Sequence, residues 1–342
     1  MRKPQLDGLR SIALLSVFYS HFWEESSDLG HVGVRLFFVL SGFLITNILL
    51  EARSGDENAA ATIARFFIRR AARIWPPYFF MLGCFVLLAH WLHFKMMRES
   101  LPWHALFLSN FWYALHGPEP WPLQHLWTLA VEEQFYLMWP FVILALPSRH
   151  FLKFSGALIS CTLLYRIFAF ALGKVEIANA LPFDSIDALA AGASLSFLSE
   201  KRWSPPRRLV WLSVAVGISG LIILTGFDLG DFVEWVILEA ALLLPLVALV
   251  VFASKGLLPK ILENKFVSGL GRISYGAYLY HLPIWAVLLK LSDDIGFSFS
   301  RGLFTMVTVG SLSVLFAWAS WMLLERHAIS WSNRWKGQSA PA

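Results

Sequence analysis

Apolar runs of about twenty residues recur along almost the whole chain, the length a helix needs to cross the hydrocarbon core of a bilayer. Ten segments read as membrane helices, near 8–24, 31–50, 75–94, 125–146, 154–172, 182–198, 208–227, 231–253, 268–291 and 301–325. The aromatic stretch 101–116 is short and reads as interfacial or re-entrant rather than spanning. A composition of 57% hydrophobic and 15% charged residues, with 16 Trp, exceeds what a soluble domain of 342 residues needs for its core. The fold class expected is therefore all-α: a polytopic helix bundle of about ten transmembrane helices. No domain boundary, repeat or low-complexity tract interrupts it. One membrane domain is expected over residues 1–335, followed by a disordered tail at 336–342, with Ser204-Pro205-Pro206 as a turn between spans.

Basic residues set the expected orientation. With a cytoplasmic N-terminus, the inner loops carry Arg2, Lys3, Arg53, Arg65, Arg69, Arg70, Arg73, Arg149, Lys153 and Lys201. They also carry Arg202, Arg207, Arg208, Lys255, Lys260, Lys265, Arg326, Arg334 and Lys336. The outer loops hold little beyond Lys95, Arg98 and Lys174, and are acidic at Glu24-Glu25 and Asp293-Asp294. That asymmetry predicts both termini cytoplasmic in a bacterial-type inner membrane. The net charge of +5 then reflects loops facing anionic lipid and calls for no nucleic-acid partner. Arg2 and Lys3 precede an apolar run with no small-residue cleavage site, so no cleavable signal peptide is expected. Cys84 and Cys161 lie in apolar segments and read as small core residues.

Ionisable groups inside a membrane are costly, so their spacing is informative. Arg10 and His21 lie in one segment, Leu6-Asp7-Gly8-Leu9-Arg10 running on to Tyr19-Ser20-His21, and eleven residues put them on one helical face. They would stand roughly 16 Å apart along the axis. In Arg69-Arg70-Ala71-Ala72-Arg73, Arg70 and Arg73 are neighbours on one face, either as lipid-headgroup anchors or as a clamp for a phosphate-bearing donor. His125, Glu132 and Tyr136 form an i, i+7, i+11 stripe. A carboxylate there caps the outer interface, orients an imidazole or accepts a proton. Ser274, Tyr278 and His281 form another stripe, with Pro283 breaking the helix just beyond. A satisfied core histidine is the commoner reading of His281. Gly33, Ser41 and Gly42 permit close helix approach, and Arg35 is placed near the outer mouth. Asp184, Asp187, Glu239 and Glu325 should each face the bundle. No metal-ligand spacing, Walker loop or GxSxG appears.

Together these clusters resemble the acyltransferase-3 family of integral membrane O-acyltransferases. The likeness rests on the Leu6–Arg10 opening and its spacing to His21, on Gly33-Val34 with Phe37–Phe43, and on Arg69–Ile74. It continues through Trp127-Thr128-Leu129-Ala130-Val131-Glu132-Glu133-Gln134-Phe135-Tyr136 and ends at Ser274-Tyr275, Tyr278 and His281-Leu282-Pro283. The last span departs from it, because no proline closely follows Glu325, and the esterase-like domain of some members is absent from this sequence. The resemblance implies transfer of an acyl group, usually acetyl, from cytosolic acyl-CoA to a hydroxyl of an envelope glycan or glycolipid. It implies acyl-CoA as co-substrate, with no bound cofactor and no metal. Carried over, His21 is catalytic with Glu132 as its carboxylate partner, while Arg10, Arg70 and Arg73 bind the donor. Asp7, His125, Tyr136, Ser274, Tyr278 and His281 are candidate pocket-lining residues. Imidazole suits the chemistry, either as base toward an alcohol or as a transient acyl carrier. The alternative is a proton-coupled transporter or flippase of a glycan or glycolipid, which would show similar ionisable stripes but no acyl-CoA consumption. A non-catalytic membrane sensor is a third reading.

Overall fold

In a computed structural model of the chain, residues 3–54, 58–92, 94, 97–117, 122–201, 206–226, 230, 232–296 and 299–334 are described. Among them no strand occurs, and the all-α expectation holds. The first helices are α1 (Pro4–Phe22), α2 (Leu29–Arg53), α3 (Ala59–Leu88), α4 (Met97–Ala105) and α5 (Ser109–His116). Next come α6 (Leu126–Ala145), α7 (Phe151–Ala171), α8 (Val175–Ala180), α9 (Pro182–Glu200) and α10 (Arg207–Gly226). The chain closes with α11 (Glu239–Ser254), α12 (Lys265–Arg272), α13 (Ser274–Asp294), α14 (Leu303–Ser320) and α15 (Arg326–Arg334). Wide π turns at Val233–Leu238 and Trp321–Glu325 lead into α11 and join α14 to α15.

The expected count of ten transmembrane helices is not met. Among the described residues five helical stretches are long and apolar enough to cross a membrane: Leu29–Arg53, Ala59–Leu88, Ser148–Ala171, Trp235–Ser254 and Leu303–Arg334. Helices do form at the other five positions, as α1, α6, α9, α10 and α13. Four of them are too polar for the class. Asp7, Arg10 and His21 lie in α1, Glu132 and Glu133 in α6, Asp184 and Asp187 in α9, and His281 and Lys290 in α13. The polar residues that make these helices interesting chemically are the same ones that disqualify them as apolar spans. Arg2, Lys95, Arg202 and Lys336, used for the expected orientation, lie outside the described residues. So do Ser204, Pro205 and the expected tail.

The second helix organises the bundle, packing against α1, α6, α9 and α11. Its contact with α9 is backbone-close. A Cβ on Gly42 would fall onto the Leu189 carbonyl, and one on Gly192 onto the Val39 carbonyl, so the two glycines interlock the helices from both sides. Toward the end where α2 and α9 begin, the same interface encloses a network of charges. Arg35, 1% exposed, forms a fork onto Asp187 at 2.7 and 2.9 Å, and its Nε lies 3.2 Å from Glu239 Oε2. Arg166, fully buried, donates to Asp184 Oδ1 at 2.7 Å and lies 3.2 Å from Asp187 Oδ2. His31 pairs with the remaining face of Glu239. Arg35 is therefore a buried link from α2 to α9 and α11.

Large apolar side chains such as Leu87, Leu164, Phe168 and Phe304 point outward, as a lipid-facing surface requires. Cys84 and Cys161 are free and also exposed, so they are not the small core residues expected from their apolar surroundings. The stretch around 101–116 folds as the short helices α4 and α5, of nine and eight residues. At about 1.5 Å per residue neither reaches across the hydrocarbon core. Their junction is pinned to α6, where Gln134 donates to the Phe107 carbonyl at 2.9 Å and exchanges side-chain hydrogen bonds with Asn110.

Candidate active site

Three compartments run along the α1 axis. The central one is a narrow cavity of about 70 Å³ between α1, α2, α3, α6 and α13. Arg10, Arg70 and Arg73 line it together with Glu132 and Tyr136, so residues from three separate sequence clusters converge there. Ser274 and Tyr278 close it from α13. Glu132 is held by Ser41, whose hydroxyl donates to Oε1 at 2.6 Å, and Tyr136 donates in turn to Ser41 Oγ at 3.2 Å. The Arg70 guanidinium lies over the Tyr136 ring, 5.1 Å from its centroid, which fixes a long side chain against an aromatic face. Arg10 has Asp7 one helical turn below, at 4.0 Å, and Asp7 does not line the cavity.

Arg70 and Arg73 also border a second, wider cavity of about 620 Å³ at the end of the bundle where α2 and α15 finish. Arg65 and Arg69 join them on its wall. The Nε of Arg69 is buried with no hydrogen-bond partner among the described residues. Four guanidiniums around one cavity make a strong receptor for a multiply charged phosphate ligand. The sequence places Arg65 and Arg69 among the inner-loop charges, and Arg69 within the Arg69–Ile74 motif, without marking either as donor-binding. Their spacing to Arg73, at i, i+4 and i+8, is one helical stripe and carried the missing signal.

The third compartment belongs to histidines. His21, partly exposed at the end of α1, lies with its ring 5.2 Å from that of His281, and His281 lies 4.8 Å from His125. Both inner rings are locked by carbonyls. His125 Nε2 stands 3.0 Å from the Leu279 oxygen, and His281 Nδ1 contacts the Tyr278 oxygen. A carbonyl only accepts, so these nitrogens carry the protons. His125 Nδ1 and His281 Nε2 are left as bare lone pairs, buried and without a partner among the described residues. Tyr278 divides this group from the central cavity. Its hydroxyl shares a 2.9 Å hydrogen bond with Thr128, and its ring lies 5.2 Å from His281 and 5.4 Å from His125.

The structure thus gathers Arg10, Arg70, Arg73, Glu132, Tyr136, Ser274 and Tyr278 around one cavity, and His21, His125 and His281 around another point. Glu132 lines the cavity and His21 does not. The ring neighbours of His21 are His281 and Phe22. Among the described residues no group of His, Cys, Asp and Glu is arranged to hold a metal ion.

This chain is similar to the peptidoglycan O-acetyltransferase OatA of Listeria monocytogenes, with 29% identity over 313 residues, covering 82% of this chain and 49% of the relative. It is 29% identical over 316 residues to the O-acetyltransferase OatA of Staphylococcus aureus, covering 82% of this chain and 50% of the relative. A putative O-acetyltransferase of Staphylococcus aureus strain COL shares 28% identity over 307 residues, with the same coverage. The chain spans about half the length of the curated relatives it matches. No solved structure matches it. Residues 3–324 match the acyltransferase domain of the acyltransferase-3 family, and the chain belongs to that family of membrane acyltransferases.

Proposed function

We propose that this protein moves an acyl group, acetyl in the first instance, from cytosolic acyl-CoA to a hydroxyl of an envelope glycan or glycolipid. One observation carries the reading: a four-arginine cavity continues through Arg70 and Arg73 into a central cavity, and a histidine group lies beyond it. The arginine end faces the cytosol of a bacterial-type inner membrane, the side favoured by basic residues and the side where acyl-CoA is found. The phosphates of the donor dock on Arg65, Arg69, Arg70 and Arg73, and its long arm runs through the central cavity past Arg10 and Glu132, carrying the thioester beyond Tyr278 to the histidine group. Ser41 and Tyr136 hold Glu132 in place, and the Tyr136 ring holds Arg70, so both groups are ordered before the donor arrives.

His21 stands at the far end of this path. As the acceptor oxygen attacks the thioester carbonyl, His21 takes the hydroxyl proton, the C–S bond breaks, and the imidazolium returns the proton to the thiolate. The products are an ester on the glycan and free CoA. A two-step route has the same balance: the acyl group passes first to a His21 nitrogen and then to the acceptor.

Purified protein in detergent, given acetyl-CoA and a crude envelope-glycan extract, tests the reading by release of free CoA thiol. Release by wild type and none by His21→Ala supports it. Absence of both release and acetyl-CoA binding removes it and favours a carrier without covalent chemistry.

A further inference from the structure

The cleft of about 340 Å³ between α2, α8, α9 and the π turn leading into α11 has a lining opposite in character to the arginine cavity. Two indoles, Trp127 and Trp235, border it. So do the carboxylate residues Asp28, Asp184 and Glu239, and Asn179. Its volume falls within the range of small-molecule sites. The polar lining is dominated by acceptors, and Asn179 Oδ1 is buried with no hydrogen-bond partner among the described residues. Arg35 and Arg166 brace the carboxylates without lining the cleft. His31, the cationic residue on the wall, is paired to Glu239.

A site of this kind selects by what it lacks. The cations near the cleft are already paired to its carboxylates, so its lining offers a phosphate none of the guanidiniums that the arginine cavity presents. A ligand must bring hydrogen-bond donors to satisfy the acceptors, and flat C–H faces to lie on the indoles. A neutral or amino-bearing pyranose does both. The chain links the cleft to the histidine group at two points. Trp127 lies two residues beyond His125, and Asp28 follows Ser27, whose carbonyl accepts a 2.9 Å hydrogen bond from Ser20, the neighbour of His21.

We propose that this cleft binds one sugar unit of the acceptor, with Trp127 and Trp235 as its stacking faces and Asp28, Asp184 and Asn179 as its hydroxyl partners. Assigning that sugar to the acceptor rests on the acyl-transfer reading above, whereas the binding of sugar does not. The test therefore has two readouts. Calorimetric titration of the detergent-purified protein with soluble tetramers of N-acetylglucosamine, glucosamine and glucose measures binding without turnover. CoA thiol release with the same tetramers measures transfer.

The expected result is saturable binding of at least one tetramer by wild type, weakened about tenfold in Trp127→Ala and in Trp235→Ala and retained in Trp127→Phe. Unchanged thermal midpoints show that the variants are folded. A matching rise in acceptor KM, with donor KM unmoved, ties the cleft to the reaction. No binding of any tetramer by wild type, or equal binding by folded Trp→Ala variants, overturns the site. Binding that behaves as expected, with no CoA release from the tetramers or from a crude envelope-glycan extract and no acetyl-CoA binding, keeps the site and overturns the acyl-transfer reading instead.

Discussion

His21 and Arg70 differ in what surrounds them, and the difference separates their expected kinetic effects. The His21 ring is partly exposed and meets His281, whose own proton is committed to the Tyr278 carbonyl. Removing the His21 imidazole takes away a proton acceptor and leaves the arginine cavity intact. His21→Ala should lower kcat by about 10²–10⁴-fold with the affinity for acyl-CoA unchanged, measured by CoA release alongside direct donor binding. Arg70 is held over Tyr136 and borders both the wide and the narrow cavity. Arg70→Ala should raise the donor KM by about tenfold, and Arg70→Lys should recover only part of it, because an ammonium keeps the charge but not the planar fork or the stack. Equal KM values for Lys and Arg would show that Arg70 acts as a point charge alone. The arginine and glutamate positions were legible in the sequence because each sits on a stripe with its partners. The histidine group was not, since His21, His125 and His281 come from three helices and only packing brings their rings together. Arg166 was passed over for a similar reason, as its partners Asp184 and Asp187 lie on the next long helix.

At the scale of the helix, α2 and α9 are fastened twice, by interlocked glycines and by the Arg35–Asp187 fork near it. A buried ion pair adds little net stability over apolar residues of the same size, but half of one is costly. Arg35→Met alone should destabilise the bundle by about 3–5 kcal/mol, and adding Asp187→Leu should restore most of the loss. Thermal unfolding in detergent reads the cycle. A double variant no more stable than Arg35→Met would mean that Arg35 matters through Glu239 rather than through Asp187. At the glycine contact no relaxation of a side chain can help, because the obstruction is the Leu189 carbonyl. Gly42→Leu should therefore unfold the protein or drive it into aggregates, which size-exclusion chromatography shows directly. Small residues announce close approach in the sequence, but of Gly33, Ser41 and Gly42 only the last meets α9, while Gly33 faces the Ala13 carbonyl of α1 and Ser41 bonds side chains of α6. Which helix they approach is settled only by tertiary packing.

The whole molecule presents two chemically opposite ends, with arginines around one cavity and carboxylates with indoles around another. Hydropathy could not reveal this division. It reads ten spans, whereas among the described residues five stretches carry the apolar character and helices such as α1 and α6 place Arg10 and Glu132 in the interior. A polar helix surrounded by others needs no lipid-facing stripe all round, and a window average along the sequence has no access to what surrounds it. On the proposed reading, a donor that cannot cross the bilayer enters at the end where the arginines are. In sealed vesicles, Arg65→Cys in a Cys84→Ala, Cys161→Ala background, labelled by a membrane-impermeant maleimide, reports which face that end occupies. Acetyl-CoA supplied to that face should support CoA release, and acetyl-CoA supplied to the opposite face should not. Raising ionic strength to about 1 M, where the screening length falls to about 3 Å, should raise the donor KM while leaving acceptor KM nearly unmoved. Release driven from the unlabelled face would place donor entry at the carboxylate end, against the sign of its charge, and the electrostatic account of how this protein chooses its donor would fail with it.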